Sequence, residues 1–480
     1  MNIIMVLYII GWILEFEAMF MLLPTLVGVI YREPKAALCY LLTALFTFAV
    51  GFCLKVRKPR TTDLYMREGF ATVALGWSAL SIFGAIPFVA TGDIPNYINA
   101  LFEAVSGFTT TGASILSDVK HLTHAGLFWR SFTHWIGGMG VFVFIMSVLP
   151  LMGGSTLNLM RAESTGPSVG KLVPRVQDTA KILYQLYLAL TLLSTIVYIL
   201  CGLKPFEAVC ISFGTVGTGG YGLVNTSIGS YSAAAQWAIG IFMVMAGINY
   251  SAYFYLIRRQ LKNAFAIEEI RLYLTLVAVA TIVIALNITG YYPTFGEGLR
   301  AAFFQVSSII TTTGYSTADF DLWPSFSKSI LVALMFIGAC SGSTAGGMKV
   351  SRVLIYFKEL WKELSGMVHP RQVKVLRMDG HVLENETLRS TSAFLGAYFI
   401  LYMLSTLAIS IDNFDFTTNF TAVAATLNNI GPGLALVGPT CNYNGFGIFS
   451  KFVLMLDMLA GRLELFPILI LFKPGCWKKY

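Results

Sequence analysis

Phe108-Thr109-Thr110-Thr111-Gly112-Ala113-Ser114 closes a short apolar run, and the same arrangement returns three times. The second copy is Gly214-Thr215-Val216-Gly217-Thr218-Gly219-Gly220-Tyr221-Gly222, and the third is Ile310-Thr311-Thr312-Thr313-Gly314-Tyr315-Ser316. The fourth, Leu427-Asn428-Asn429-Ile430-Gly431-Pro432-Gly433, keeps the glycine but replaces the threonines. Taking Gly112, Gly219, Gly314 and Gly431 as equivalent gives spacings of 107, 95 and 117 residues. Those are domain-scale intervals, too long for a solenoid.

Each stretch follows a run of two or three helical turns: Ala100–Ser106, Phe206–Phe213, Leu299–Ile310 and Phe416–Leu427. A membrane-spanning helix needs about 20 residues, so these runs cannot cross. Non-helical backbone at membrane depth survives only where it is buried or lines a water-filled cavity. Glycine permits positive φ and so turns carbonyls in unusual directions. A short helix ending there aims its negative dipole end at the same point. A cation then meets dipole ends and a set of carbonyl oxygens that replace its hydration shell. One Thr-Thr-Thr-Gly also fits plain small-residue helix packing. Four copies in the same slot supply the four sides of one pore.

The surrounding chain agrees. It has 480 residues, 56% hydrophobic and only 12% charged, against about 25% charged in ordinary soluble proteins. That excludes a soluble enzyme, a disordered chain and a secreted disulfide scaffold. Ten candidate spans lie near 3–30, 36–55, 69–90, 126–150, 182–202, 234–257, 272–290, 328–355, 391–411 and 449–472. The start is read as a retained first helix, because it lacks a basic n-region and a small-residue cleavage site. The net charge is +8. An up-down count places 24 of the 33 basic residues on one side, eight on the other, and Arg462 inside a helix. Basic loops face the cytoplasm, so both termini are expected there, and the positive balance orients the chain instead of binding nucleic acid. The expected class is an all-α membrane protein: two leading transmembrane helices plus four helix–pore loop–helix repeats, pseudo-fourfold around one pore. The divisions are 1–60 for the leading helices, then repeats at 61–160, 161–260, 261–380 and 381–480.

Glu103, Glu207, Glu297 and Asp415 lie near the starts of the short helices. The expectation is that they cap free N–H groups and, with Asp93, Asp118, Asp319, Asp321 and Asp412, concentrate cations at the outer mouth. The span at 328–355 is interrupted by Gly338, Gly342, Gly346 and Gly347. Two readings compete: tight helix packing through small residues, or a helix broken into a loop that obstructs the pore. Lys349 ends the segment, either as part of that gate or as the first cytoplasmic anchor. Arg462 is costly inside a membrane, by about 2.5–3.5 kcal/mol on insertion scales. It either forms an ion pair in the bundle or sets a positive charge near the pore that opposes cations. The roles of Glu15 and Glu17 stay open. Seven cysteines form no C-x-x-C pair, and the five histidines lack metal-ligand spacing.

With these residues in view, the chain resembles the Trk/Ktr/HKT superfamily of potassium transporters over essentially its whole length, specifically the bacterial TrkH branch. The four filter stretches carry the likeness, with Gly338-Ala339-Cys340-Ser341-Gly342-Ser343-Thr344-Ala345-Gly346-Gly347-Met348-Lys349 and Gly461-Arg462-Leu463-Glu464. The resemblance implies inward K⁺ conduction across the cytoplasmic membrane of a bacterium, by a homodimer with one pore per subunit. It implies docking of a cytoplasmic TrkA-type nucleotide-binding ring subunit, for which 151–181, the basic segment Phe357–Arg389 and the tail are the candidate surfaces. It implies a K⁺ filter built from Thr110, Thr111, Gly112, Gly217, Thr218, Gly219, Thr312, Thr313, Gly314, Asn429, Ile430 and Gly431. Four glycines favour K⁺ in the family, whereas serine at the first accompanies Na⁺. An intramembrane gating loop is implied in the third repeat.

A K⁺ symporter coupled to H⁺ or Na⁺ by alternating access is the alternative. It usually needs mid-membrane acids or histidine relays, and the repeats here share one orientation. A membrane enzyme lacks its motifs. A voltage-gated channel lacks regularly spaced arginines. No dinucleotide-binding fold segment is recognised, so no organic cofactor is expected in this chain; its only small-molecule ligand is the transported K⁺.

Overall fold

The computed structural model describes residues 2–59, 65–148, 176–369, 371 and 375–477. The candidate docking segment 151–181 therefore lies mostly outside the described residues, as do Arg60, Arg161, Lys171, Arg175, Lys478 and Lys479.

The chain opens with α1 (Ile3–Phe20) and α2 (Leu22–Ile30), followed by α3 (Pro34–Lys55). α1 packs along α3, and Gly11 faces Gly51 so closely that a Cβ at either would meet the other's carbonyl oxygen at 2.6–2.7 Å. Small residues let the backbones approach in this way. Glu15 pairs with Lys55 of α3, whose ammonium lies 3.3 Å above the Trp12 ring. Glu17 is buried beside Gly84. The two acids left open by the sequence thus face the bundle.

The first unit has α4 (Met66–Thr91), α5 (Tyr97–Phe108) and α6 (His124–Val148). The second has α7 (Val176–Leu200), α8 (Pro205–Val216), α9 (Ala233–Ala246) and α10 (Tyr250–Ile257). After α11 (Leu261–Ala266), the third has α12 (Glu268–Asn287), α13 (Phe295–Ile310), α14 (Ser325–Ile337) and α15 (Val350–Val368). A two-residue hairpin, β1 (Arg377–Met378) with β2 (His381–Val382), leads to the fourth. That unit has α16 (Asn385–Ile409), α17 (Phe416–Leu427), α18 (Ile448–Arg462) and α19 (Phe466–Leu469).

Six helical stretches among the described residues are long and apolar enough to cross a membrane: Ile3–Ile30, Pro34–Lys55, Met66–Thr91, Lys181–Leu200, Glu268–Asn287 and Asn385–Asp412. The other expected spans are modified. The one at 234–257 bends by 95° between α9 and α10. The one at 328–355 is two helices with a loop between, and 449–472 stops at Arg462 before a turn. All three breaks fall on the helix that follows a Thr/Gly stretch.

The four short helices are buried, in contrast to the outward faces of α3 and α16, which expose Leu42, Leu45, Ile400 and Leu407 as a lipid-facing surface requires. Their N-termini are capped as polar sequence dictates. Asn96 accepts from Ile98 N at 2.9 Å, Thr294 from Glu297 N at 3.3 Å and Asp415 from Thr418 N at 3.0 Å, while Pro205 sits in the first turn of α8 with Glu207. Asp415 caps its helix as expected, whereas Glu207 and Glu297 lie in first turns whose cap positions are held by Lys204 and Thr294. Glu103 is a correction: it lies mid-way along α5, fully buried, and caps nothing.

Candidate functional site: four loops around one cavity

Each short helix ends in the same way. The N–H groups of Thr110, Thr218, Thr312 and Asn429 donate to the carbonyl three residues back, at 3.0–3.2 Å. The next N–H groups, on Thr111, Gly219, Thr313 and Ile430, donate five residues back, at 2.8–2.9 Å. This pair of bonds is the Schellman ending, which requires a left-handed residue. Glycine usually fills it, yet here φ is +54° at Thr110, +55° at Thr218, +56° at Thr312 and +55° at Asn429. A non-glycine residue in this region costs about 1–2 kcal/mol, and such strain clusters at functional sites.

The strained side chains have partners that glycine could not provide. Thr312 Oγ1 accepts from Gly346 N at 2.7 Å, and Thr110 Oγ1 accepts from Arg462 Nη1 at 3.2 Å. Asn429 donates to Thr111 Oγ1 and to Met458 O, both at 2.9 Å. The hydroxyls of Thr109 and Thr111 bond at 2.8 Å, and Thr311 and Thr313 repeat that pair at 2.8 Å.

Two residues after each strained position comes a glycine with positive φ: Gly112 at +76°, Gly220 at +81°, Gly314 at +84° and Gly431 at +95°. The register in the second copy is thus one residue later than the sequence alignment assumed. α8 ends at Val216, and Gly217 is its C-cap, the place held by Thr109, Thr311 and Asn428 in the other copies. The equivalents of Thr110, Thr111 and Gly112 are therefore Thr218, Gly219 and Gly220, not Gly217, Thr218 and Gly219. Adjacent glycines left both registers open to the sequence; only the backbone angles separate them.

The glycines are in cyclic contact. A Cβ on Gly112 would overlap the carbonyl oxygen of Gly219, and one on Gly220 that of Thr313. A Cβ on Gly314 would overlap Ile430 O, and one on Gly431 would lie 2.7 Å from Thr111 O. Each loop's glycine therefore abuts the carbonyl just before the next loop's glycine, and the fourth returns to the first. All four glycines line one polar cavity of about 140 Å³, together with Arg130 and Tyr221. His134, buried under this ring, stacks on Tyr221 at 4.1 Å and leaves no room for a side chain at Gly219. The spacing Gly217-x-Gly219-x-x-Gly222 satisfies the letters of a dinucleotide fingerprint, but it follows a helix and no strand, so the required context is missing.

The broken span lies against the strained residues, and its loop is absent from the cavity lining. α14 ends at Ile337, Gly338 takes φ +72°, and α15 begins at Val350 after Lys349 at φ +75°. Gly342 and Gly347 are also left-handed, at +67° and +75°. The glycines thus break the helix instead of merely packing it. Gly346 lies against Asn428 O, where a Cβ would approach to 2.5 Å. Cys340 N bonds Gly247 O at 3.1 Å. Glu269 of α12 holds both ends of the loop: its Oε1 accepts from Ser341 N at 2.6 Å and Ser351 N at 3.0 Å. Glu269 falls just before the expected span 272–290, in the first turn of α12, and the sequence carries no signal that sets it apart from its neighbour Glu268. Lys349 is buried and donates to Ala345 O, so it is no cytoplasmic anchor.

Arg462 joins these parts. It donates to Thr344 O of the loop at 2.7 Å, to Gly137 O of α6 at 2.6 Å, and to Thr110 Oγ1. The neighbouring acids are otherwise engaged: Glu464 pairs with Arg352, and Asp457 accepts from Ser405 at 2.6 Å.

Comparison with known proteins agrees with this architecture. Residues 40–478 match the family model described as TrkH, cation transport protein. The chain is 37% identical over 469 residues to the Trk system potassium uptake protein TrkH of Salmonella typhimurium, covering 96% of both chains. It is 34% identical over 486 residues to the TrkH of Halomonas elongata, covering 100% of both. The crystal structure of the potassium transporter TrkH from Vibrio parahaemolyticus superposes with a TM-score of 0.89, at 32% identity over 100% of both chains. The family consists of transporters, not enzymes, and its apolar helices make it multi-pass in the membrane. By sequence and by fold, this chain belongs to the TrkH family of cation transport proteins.

Proposed function

We propose that this chain is the K⁺-conducting subunit of a bacterial Trk system. The observation that carries the reading is the cyclic contact of four left-handed glycine loops around one cavity, each loop at the C-terminal end of a buried short helix. Four dipole ends and the carbonyls of Thr110, Thr111, Thr218, Gly219, Thr312, Thr313, Asn429 and Ile430 then replace a cation's water. On this reading the four units are pseudo-fourfold repeats, at 61–160, 161–260, 261–380 and 381–480.

The loop from Gly338 to Lys349 and Arg462 form the gate, since both touch the filter loops on the face away from the cavity. A cytoplasmic TrkA-type ring subunit releases it in a homodimer of the inner membrane, with both termini cytoplasmic. Relatives named as Trk system potassium uptake proteins support K⁺ as the ion.

The test is Gly112→Ser in protein reconstituted into liposomes. The added Cβ intrudes on Gly219 O, so the K⁺/Na⁺ flux ratio falls. An unchanged ratio in a folded variant refutes the filter assignment.

A further inference from the structure

A salt bridge beside the glycine-lined cavity belongs to neither the filter backbone nor the gate. Glu103 on α5 is fully buried, and Arg130 on α6 is 4% exposed; Glu103 Oε1 accepts from Arg130 Nε at 2.6 Å. The carboxylate also holds the first filter loop where it leaves the ring. It accepts from Ile115 N at 3.0 Å and from the Ser114 hydroxyl at 3.0 and 3.2 Å. Arg130 reaches the second loop: Nη1 donates to Gly222 O at 2.9 Å, and the guanidinium lies 3.6 Å from the Tyr221 ring centre. Tyr221 returns to α5 by donating to Glu103 O at 2.7 Å. The circuit is closed, and it ties the outer strands of loops one and two to one another through buried charge.

Among the described residues, the other units lack this circuit. Counting back five residues from each short helix's end, the place of Glu103 is taken by Ile211, Gln305 and Ala422. Tyr315 repeats the tyrosine bond by donating to Ile211 O at 3.3 Å, and Gln305 donates to Ala318 O at 3.2 Å, but neither place carries charge. Among the described residues, repeat one alone has an ion pair at this place, and the pair's arginine lines the same cavity as the four glycines.

We propose that Glu103 and Arg130 are specificity-determining positioning residues for K⁺, a reading that rests on the filter assignment. Glu103 performs two separable tasks. It fixes the outer strand of loop one against loop two, which sets the carbonyl spacing there. It also neutralises Arg130, a cation standing beside the route of a cation. Removing one partner of a buried pair leaves an uncompensated charge, so loss of Glu103 exposes both tasks, whereas loss of both charges exposes only the first.

The experiment compares Glu103→Gln, the double variant Glu103→Gln/Arg130→Met, and Tyr221→Phe, as full-length protein in liposomes, measuring K⁺ flux and the K⁺/Na⁺ ratio. Glu103→Gln lowers K⁺ flux by about tenfold, the effect of a repulsion of about 1.4 kcal/mol, and lowers the K⁺/Na⁺ ratio. The double variant recovers most of the flux and keeps the lowered ratio. Tyr221→Phe removes a single hydroxyl, folds with its ring stack intact, and lowers the ratio with flux retained. Parent flux and parent ratio in a folded Glu103→Gln protein overturn the proposal. If Glu103→Gln does not fold, a parent ratio in Tyr221→Phe overturns it. A parent ratio in Gly112→Ser strikes the filter reading itself, so the two failures are distinguishable.

Discussion

Replacing Arg462 by alanine removes a positive charge and its hydrogen bonds to Thr110, Thr344 and Gly137, behind the glycine ring. The charge is close to the ion route, because Nη1 is 3.2 Å from the hydroxyl of Thr110, the strained residue of the first loop. A unit charge about 5 Å from a cation, at an effective dielectric of about 20, raises the cation's energy by about 3 kcal/mol. Water in the route raises the dielectric, and a conservative figure is roughly 1.5 kcal/mol, or about tenfold in rate. The lost bond to Thr344 O frees the loop as well, since a hydrogen bond to a charged group contributes about 1.5–3 kcal/mol. Both effects act in one direction. Arg462→Ala is therefore expected to raise K⁺ flux at least tenfold in liposomes without the ring subunit. The K⁺/Na⁺ ratio stays at the parent value, because Thr110 is held left-handed by its backbone bond to Gly107 O, not by the arginine. Arg462→Lys keeps the charge but cannot reach Thr344, Gly137 and Thr110 together, so its flux falls between the two. Parent flux in folded Arg462→Ala refutes the reasoning.

Two further outcomes follow from the same geometry. Glu269→Ala deprives Ser341 N and Ser351 N of their shared acceptor, so basal K⁺ flux without the partner rises several-fold with selectivity unchanged; a flux equal to the parent's removes Glu269 from the gate. Gly220→Ala places a Cβ against Thr313 O at φ +81°, so the K⁺/Na⁺ ratio falls as it does for Gly112→Ser, and parent selectivity there would return the filter register to Gly219.

Several features were legible without coordinates because they rest on chemistry local to the chain. Twelve-percent charge with long apolar runs required a membrane. Four Thr/Gly stretches after runs too short to cross required backbone shielded from lipid. Glycines at 338, 342, 346 and 347 weakened one helix, and it breaks there. Asp415 announced a helix start by the usual capping rule, and Glu297 by the preference of a first turn for acids.

Other features depended on which groups meet in space. Glu103 looked like a cap by position along the chain, yet its partners Ser114, Ile115 and Arg130 are 11 to 27 residues away. Adjacent glycines at 219 and 220 satisfied the pattern in two registers, and only the backbone angles that follow the helix end at Val216 chose between them. Glu464 is two residues from Arg462 but pairs with Arg352, because α18 ends at Arg462 and Glu464 lies past that end with a left-handed backbone, φ +56°. The sequence alone determined that the chain lives in lipid and carries four similar loops, since hydropathy and glycine freedom belong to the residues themselves. Tertiary structure alone decided the cyclic order of those loops and the partners of the buried charges. Such charges are placed by whatever distant carbonyl, hydroxyl or counter-ion the packing brings within about 3 Å.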